Sequence, residues 1–328
     1  MNKVKELRQR LGLSQEELSK ITNIPRTTIS AIESGKATPS VDYALRLAKA
    51  LRCTVEELFG EEEFVPFLGF KEGLFVSYQV GERRVLFPIN LSEAEDCPEG
   101  YFKEGKVEWF NRQTLPTYTF AGCDPSFKLP SKALREEGIR LLVINLPSMK
   151  ALELLKEGFV HMAGVHMGSF EENIRLARRF LGRGYKVVKL FSWEEVIAVR
   201  EEFSLQKLKG KLWLAREEGS GARKVFEELR KDMVIENFRV VSGGHEKIAF
   251  SLREGFGDAG ITTKAYALEY GLSFLGVKWE DYCLCYRADL EEDRNFLRVV
   301  DFLKGKRHTR LLSYLPGYEK KSPEEVLL

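Results

Sequence analysis

Apolar positions in the first 60 residues recur every three or four residues, in short runs broken by turn residues. That period places Val4, Leu7 and Leu11 on one helical face. Ser14-Gln15-Glu16-Glu17 has the form of a capping box, so a second helix starts at Gln15 and turns Leu18 and Ile21 inward. Asn23-Ile24-Pro25 reads as a tight turn with proline at the next helix start. The third helix runs from Arg26 to about Ser34, with Ile29 and Ile32 inward and Gly35 as its stop. Ser40 caps a helix over 41–51, where Val41, Ala44, Leu45, Ala48 and Leu51 form a stripe. Thr54-Val55-Glu56-Glu57 opens a last turn that buries Leu58 and Phe59.

After the acidic run Glu61-Glu62-Glu63 the texture changes. Short aromatic and β-branched runs at 64–70, 74–80 and 83–89, separated by glycine turns, predict a small hairpin or meander. Residues 90–114 show little pattern. From Thr117 strands and helices alternate. Strands are predicted at 117–121, 140–145, 160–165 and 186–191, with helices at 131–137, 148–156 and 171–181. The run at 195–200 crosses to a second unit beginning near Leu205. That unit holds strands at 212–215, 238–241, 258–261 and 272–275 and helices at 221–230, 245–253 and 263–269. Residues 281–287 cross back, and helices at 290–303 and 308–313 close the chain. Such alternation predicts parallel sheets with helices on both faces. Two units joined by crossing strands give two lobes and a cleft, with ligands at the carboxyl ends of strands.

The expected organisation is multidomain: an all-α helical head at 1–60, a β-rich connector at 61–114, and a two-lobed α/β unit at 115–328. Lobe 1 takes about 115–192 and 283–328, lobe 2 about 193–282. Composition changes this picture little. The net charge of +2 leaves any nucleic-acid footprint local, and residues 1–60 carry ten Lys/Arg against seven Asp/Glu. No leading apolar run marks a signal peptide and no window has the length of a membrane span, so a cytoplasmic protein is expected. The five cysteines are scattered and the four histidines lack metal-ligand spacing, so no metal site is expected.

The candidate chemistry begins at Glu218-Gly219-Ser220-Gly221-Ala222-Arg223, between a buried strand and a helix. Free N–H groups at a helix start attract anions, and Ser220 and Arg223 add a hydroxyl and a cationic fork. A plain turn with an N-cap serine explains the same residues. Two further turns fit the anion reading: Gly122-Cys123-Asp124-Pro125-Ser126 and Pro147-Ser148-Met149. Asp124 is expected to face its own backbone. His166 is either an oxyanion donor or a wall residue, and Tyr282 offers a hydroxyl or packs. No catalytic constellation or nucleotide fingerprint stands out, so an enzyme is not expected.

Two resemblances sharpen these readings. Leu13-Ser14-Gln15-Glu16-Glu17-Leu18, Ile24-Pro25-Arg26-Thr27-Thr28-Ile29-Ser30, Ile32-Glu33-Ser34-Gly35-Lys36 and Pro39-Ser40 resemble the Cro and phage-repressor type (XRE family) of helix-turn-helix domain. The resemblance implies that the helix from Arg26 enters the major groove of double-stranded DNA. Arg26, Thr27, Ser30 and Ala31 would then face base edges, and Gln15, Thr28, Ser34 and Lys36 would hold phosphates. Further on, the 121–125, 162–167, 216–223, 257–261 and 315–318 segments are similar to the periplasmic-binding-protein-like domain of type II. That domain occurs fused to helix-turn-helix heads in regulators described as molybdate-binding.

The second resemblance implies an oxyanion, molybdate or tungstate, as effector between the lobes, with no other cofactor required. Gly122, Cys123, Ser126, Ser148, Met149, His166, Ser220, Gly221, Ala222, Arg223 and Tyr282 are the candidate ligand-binding residues. Pro147-Ser148 replaces a usual Gly-Ser pair, and the segment after His166 is short, both bordering the expected cleft. The expectation is a ligand-responsive, homodimeric DNA-binding regulator. A regulator sensing a small organic solute, a molybdenum-cofactor-related carrier or enzyme, and a ligand-free dimerisation module are the alternatives.

Overall fold

The computed structural model describes residues 3–60, 64–89, 97–111, 115–200, 208–320 and 323–328. The acidic run at 61–63 and the expected start near Leu205 lie outside the described residues. The chain divides into two compact units, residues 1–65 with 82–84 and residues 66–81 with 85–328. Among the described residues no helix is long and apolar enough to cross a membrane.

The first unit holds α1 (Val4–Arg10), α2 (Gln15–Thr22), α3 (Arg26–Glu33), α4 (Val41–Leu51) and α5 (Val55–Phe59). Its boundaries follow from its caps. The Ser14 hydroxyl accepts from the Glu17 amide at 3.1 Å, and the Ser14 amide donates to the Glu17 carboxylate at 2.7 Å, closing the expected capping box. Ser40 accepts from the Tyr43 amide and so starts α4. Val4, Leu18, Ile24, Ile29, Ile32, Leu47, Leu51 and Leu58 make the core.

Three expectations about this core are corrected. Ile21 is 58% exposed, Val41 78% and Leu45 57%. On α2 the buried face runs through Leu18 and Thr22, four apart, which turns Ile21 outward. On α4 it runs through Ala44, Leu47, Ala48 and Leu51, so Leu45 lies off the stripe and Val41 lies in the exposed first turn. Leu11, just past the end of α1, is also exposed.

Beyond α5 come β1 (Phe64–Pro66), β2 (Glu72–Val80), β3 (Arg83–Pro88), β4 (Gly100–Lys103) and β5 (Lys106–Trp109). Strands β3, β2, β4 and β5 lie side by side in that order, the antiparallel meander expected from the connector. Glu99 of this region is fixed to the start of the next sheet by Arg140. The guanidinium lies 2.7 Å from the Glu99 carboxylate, and both side chains are buried.

The α/β region then runs β6 (Thr117–Gly122), α6 (Lys128–Glu136), β7 (Arg140–Asn145), α7 (Ser148–Lys156), β8 (Met162–Val165), α8 (Phe170–Leu181) and β9 (Tyr185–Val199). It continues with β10 (Trp213–Arg216), α9 (Gly221–Met233), β11 (Phe238–Val241), α10 (Gly244–Arg253), β12 (Ala259–Thr263), α11 (Lys264–Glu269) and β13 (Ser273–Arg287). The last elements are α12 (Arg294–Lys304), α13 (Lys306–Leu312), β14 (Tyr318–Glu319) and β15 (Glu324–Leu327). The sheet order is β11-β10-β12-β9-β13-β8-β6-β7, with β14 and β15 paired to β9. β6 is parallel to β7 and β8, and β10 is parallel to β11 and β12, as the alternation predicts.

β9 and β13 are each one strand where the sequence suggested two. They pair antiparallel from Tyr185 opposite Arg287 to Val199 opposite Ser273. Polar positions such as Glu194, Glu195, Lys278, Glu280 and Asp281 interrupt the apolar pattern and mimic breaks. The interruption lies where the strands pass from one lobe to the other. Register shifts at Gly276/Lys278 and Tyr282/Cys283 bracket the same stretch.

Candidate functional site

In the helical unit, α3 turns Ile29 and Ile32 fully inward, so Arg26, Thr27 and Ser30 are exposed on its other side. Thr28 and Ala31 are half-buried, and Ser34 and Lys36 follow on the surface. Arg26 lies 3.9 Å from Glu16, with both side chains mostly exposed. The Ser34 hydroxyl donates to the Ser30 carbonyl at 2.9 Å. Gln15, expected to hold a phosphate, is engaged within the helical unit. Its amide donates to Glu33 at 2.8 Å, and Glu33 also takes Arg8 at 2.6 and 3.0 Å. Arg8 closes this network on the Leu13 carbonyl, which fixes the loop into α2.

In the α/β unit the carboxyl ends of the strands bring together a buried polar cluster. Cys123 follows β6, and its Sγ lies 2.8 Å from His166 Nε2, just past β8. His166 Nδ1 lies 3.0 Å from Glu280 of β13 and 3.8 Å from Glu195 of β9. Glu195 Oε1 is 4.0 Å from His245 Nε2, on the first turn of α10. The His166 amide donates to Ser148, at the start of α7. Arg216, at the end of β10, is fully buried as a side chain and holds Glu217 through two hydrogen bonds of 2.8 and 2.9 Å.

Much of this cluster is unpaired. Among the described residues Arg216 Nη1, both ring nitrogens of His245, both carboxylate oxygens of Glu195 and Thr263 Oγ1 are buried without a hydrogen-bond partner. Left without a partner, each such atom would cost about 1–3 kcal/mol. Burial, followed by the neighbouring Glu280, pushes the Glu195 carboxyl well above the usual carboxylate range. Burial, then Arg216 and His166, pushes His245 well below the ordinary imidazole value. For His166 burial acts downward, but Cys123 and Glu280 outweigh it and hold the ring well above its ordinary value.

The expected ligand residues divide. Cys123, Ser148 and His166 stand in the cluster. Gly221 approaches it so closely that a Cβ there would sit 2.3 Å from the His166 carbonyl. The Met149 amide donates to the Gly219 carbonyl at 3.2 Å, so the turns before α7 and α9 face each other across the lobes. Ser220 is the N-cap of α9: its hydroxyl accepts from the Arg223 amide and donates to the Glu217 carbonyl. Ala222 is packed in the core beside it.

Tyr282 stacks between His166 and Phe191, with ring centroids 5.6 and 4.9 Å away, and its hydroxyl lies over Gly122 and Gly164. Ser126 and Tyr318 both donate to Asp124, which also takes the Ser126 amide, so Asp124 is the turn residue expected. Arg223 is turned away from the cluster. It pairs with Glu227 at 2.7 Å, donates to the Arg216 carbonyl and lies over the Phe226 and Phe238 rings.

Sequence reasoning missed Arg216, Glu195, His245 and Glu280. A charged residue inside an apolar strand, as in Trp193-Glu194-Glu195-Val196-Ile197, was the available signal. The cysteine and histidine spacing gave none, because Cys123, His166 and His245 meet only through the fold.

Comparison with known proteins agrees with both units. Residues 4–58 match the helix-turn-helix family model, and residues 131–304 match the PBP superfamily domain. The uncharacterized HTH-type transcriptional regulator YgzD of Bacillus subtilis is 47% identical over 62 residues, 19% of this chain and 94% of that protein. An HTH-type transcriptional regulator of Methanothermobacter thermautotrophicus is 44% identical over 57 residues, 17% of this chain and 83% of that protein. Among solved structures, a putative phosphate ABC transporter substrate-binding protein from Clostridium perfringens, with bound phosphate, superposes with a TM-score of 0.51. It has 13% identity, and the match covers 63% of this chain and 100% of that one, a likeness of fold alone. With residues 131–304, more than half its length, in one matched domain and residues 4–58 in the other, the chain belongs to the PBP superfamily and carries an N-terminal helix-turn-helix domain of the HTH-type transcriptional regulators.

Proposed function

We propose that this chain is a ligand-responsive transcriptional regulator, acting in the cytoplasm as a homodimer on a two-fold operator. Its α/β lobes close on a small oxyanion of the molybdate or tungstate kind. Closure shifts a two-state equilibrium of the DNA-binding heads by binding one arrangement more tightly than the other. The observation that carries this reading is the unpaired buried polar cluster, to which both lobes and both crossing strands contribute. On the anion side of that cluster stand the buried Arg216 guanidinium, the His166 ring and the helix starts at Ser148 and Gly221.

Calorimetry with molybdate, tungstate and sulfate tests the ligand. Arg216→Met is expected to weaken oxyanion binding at least about tenfold, the scale of one lost charge-assisted hydrogen bond. Arg223→Ala, which only unties a brace on α9, is expected to change it little. Equal affinities in wild type and Arg216→Met would remove the oxyanion from this site.

A footprint tests the head. Arg26→Ala is expected to lose about 10–100-fold in operator affinity, as one bidentate base contact is worth about 1–3 kcal/mol, while non-specific binding persists. An unaltered footprint would mean that α3 does not read the groove. The half-sites are expected roughly 34 Å apart or at a multiple of that spacing.

The two buried carboxylates support a second reading, a small organic solute that presents a cationic or hydrogen-bond-donating group to Glu195 and Glu280. An amine-bearing ligand that stabilises the chain where no oxyanion does would select it.

A further inference from the structure

We propose that the interlobe cluster is a site for a divalent transition-metal cation, held by Cys123, His166 and His245 with Glu195 as a fourth donor. The inference rests on the reading of this cluster as the ligand site and adds a second occupant to it.

The donors are already gathered. Cys123 Sγ and one ring nitrogen each of His166 and His245 lie within 4.8 Å of one another, and all three residues are buried. The donor atoms of His166, Glu195 and Glu280 form a second such group. Donors around a tetrahedral zinc ion stand roughly 3.3–3.8 Å apart, given bond lengths of about 2.0–2.3 Å. Small side-chain shifts bring Cys123, His166 and His245 to that spacing, and Glu195, 4.0 Å from His245 Nε2, turns in to complete the set. Thiolate with imidazole suits zinc, cobalt or a similar borderline cation and does not suit magnesium or calcium.

The surrounding groups agree with a metal. A ligating histidine ordinarily gives its other ring N–H to a carboxylate, which orients the ring and raises its basicity. Here His166 turns Nε2 to Cys123 and Nδ1 to Glu280 at 3.0 Å. A thiol–imidazole–carboxylate relay uses those three residues but leaves His245 and Glu195 unexplained. Those two hold four of the orphaned buried atoms. A cation takes up a His245 nitrogen and a Glu195 oxygen directly.

Charge points the same way. An oxyanion alone would enter beside Glu195 and Glu280, whereas a cation held by Glu195 supplies the opposite sign and an open coordination position for an oxyanion oxygen. On binding, Cys123 loses its thiol proton to solvent and binds as thiolate.

The placement gives the metal a role. Cys123 and His166 belong to lobe 1, His245 to lobe 2, and Glu195 and Glu280 to the strands shared by both. A cation binding Cys123, His166, His245 and Glu195 together exists only in the closed arrangement, so metal binding and closure are one equilibrium.

The test uses the full chain, purified under reducing conditions, stripped with a chelator and titrated with Co²⁺. One tightly bound Co²⁺ per chain with a thiolate-to-cobalt charge-transfer band is expected, displaced by Zn²⁺. Cys123→Ser should abolish the band, which excludes ligation by Cys53 or Cys97. Glu280→Gln should keep the band and weaken Co²⁺ binding about 10–100-fold, the effect of losing a carboxylate behind a ligating histidine. Circular dichroism and operator binding report whether each variant is folded. A chain that binds no stoichiometric Co²⁺, or a band that survives Cys123→Ser, overturns the proposal. Oxyanion calorimetry on the metal-free chain separates the two readings. Molybdate binding without Co²⁺ binding sinks only the metal, and Co²⁺ binding without any oxyanion sinks only the oxyanion.

Discussion

Arg140→Met is expected to cost the α/β unit about 3–5 kcal/mol, enough to remove most of its folded population near its melting temperature. Arg140 is 2% exposed and sits at the first residue of β7. Its guanidinium reaches Glu99 at 2.7 Å, the Ser77 carbonyl at 2.7 Å and the Thr117 hydroxyl at 2.9 Å. Glu99 takes in addition the Ser77 amide and hydroxyl. Removing the arginine leaves a carboxylate buried with neutral donors only. The cost is that of the abandoned charge, not the net worth of the pair. Pairing Arg140→Met with Glu99→Leu should therefore recover a large part of the loss. Urea unfolding of both variants decides: a double variant no more stable than the single one would contradict the argument.

The second large effect is a loss of stability in acid carried by two histidines far from the cluster. His161 accepts the Thr119 amide at Nδ1 and lies 2.8 Å from the Gln79 carbonyl at Nε2, which fits the neutral Nε2–H tautomer. His308 meets the Leu303 carbonyl through Nδ1, near Lys320. Burial pushes each down to about 4. Their folded values lie below the unfolded value of about 6.5, so the unfolded chain takes up protons first as pH falls. Their stability contribution is complete above pH about 6.5 and is lost on the way down to about 4. At pH 5 the loss is roughly 2 kcal/mol for each. Glu195 and His166 act in the opposite sense, since burial with Glu280, and Cys123 with Glu280, hold them up. Comparison with a variant lacking both neutral histidines isolates the effect. The stability gap between wild type and His161→Gln/His308→Gln should shift by roughly 4 kcal/mol, to the disadvantage of wild type, between pH 7 and pH 5. A gap independent of pH would show that neither ring is held neutral.

The helical head was legible because its signals are local. Ser14 with Glu17 and Ser40 before Val41 satisfy backbone groups within one turn, Pro25 fixes the backbone just before Arg26, and the structure starts α2, α4 and α3 at these points. Ile21 and Leu45 were misread because three- and four-residue spacing admits two adjacent faces, and only packing between helices selects one. The α/β alternation was legible for the same local reason.

The site was less so. Arg223 stands at a helix start, where an anion would sit, yet Glu227 one turn later takes it, a pairing the sequence already displays. Arg216, Glu195, Glu280 and His245 come from four separate elements. Only the sheet order and the long pairing of β9 with β13 bring them together.

That long pairing also governs how the α/β region comes apart. β9 and β13 carry hydrogen bonds for both lobes along one long ladder that continues through two register shifts. A lobe that melted alone would strip its half of both strands while the other half stayed zipped, leaving buried residues such as Trp193 and Tyr282 exposed at a frayed junction. The lobes are thus a single cooperative unit despite their separate apolar cores. Calorimetry should show one transition for the pair, and any bound ligand should raise that single transition as a whole.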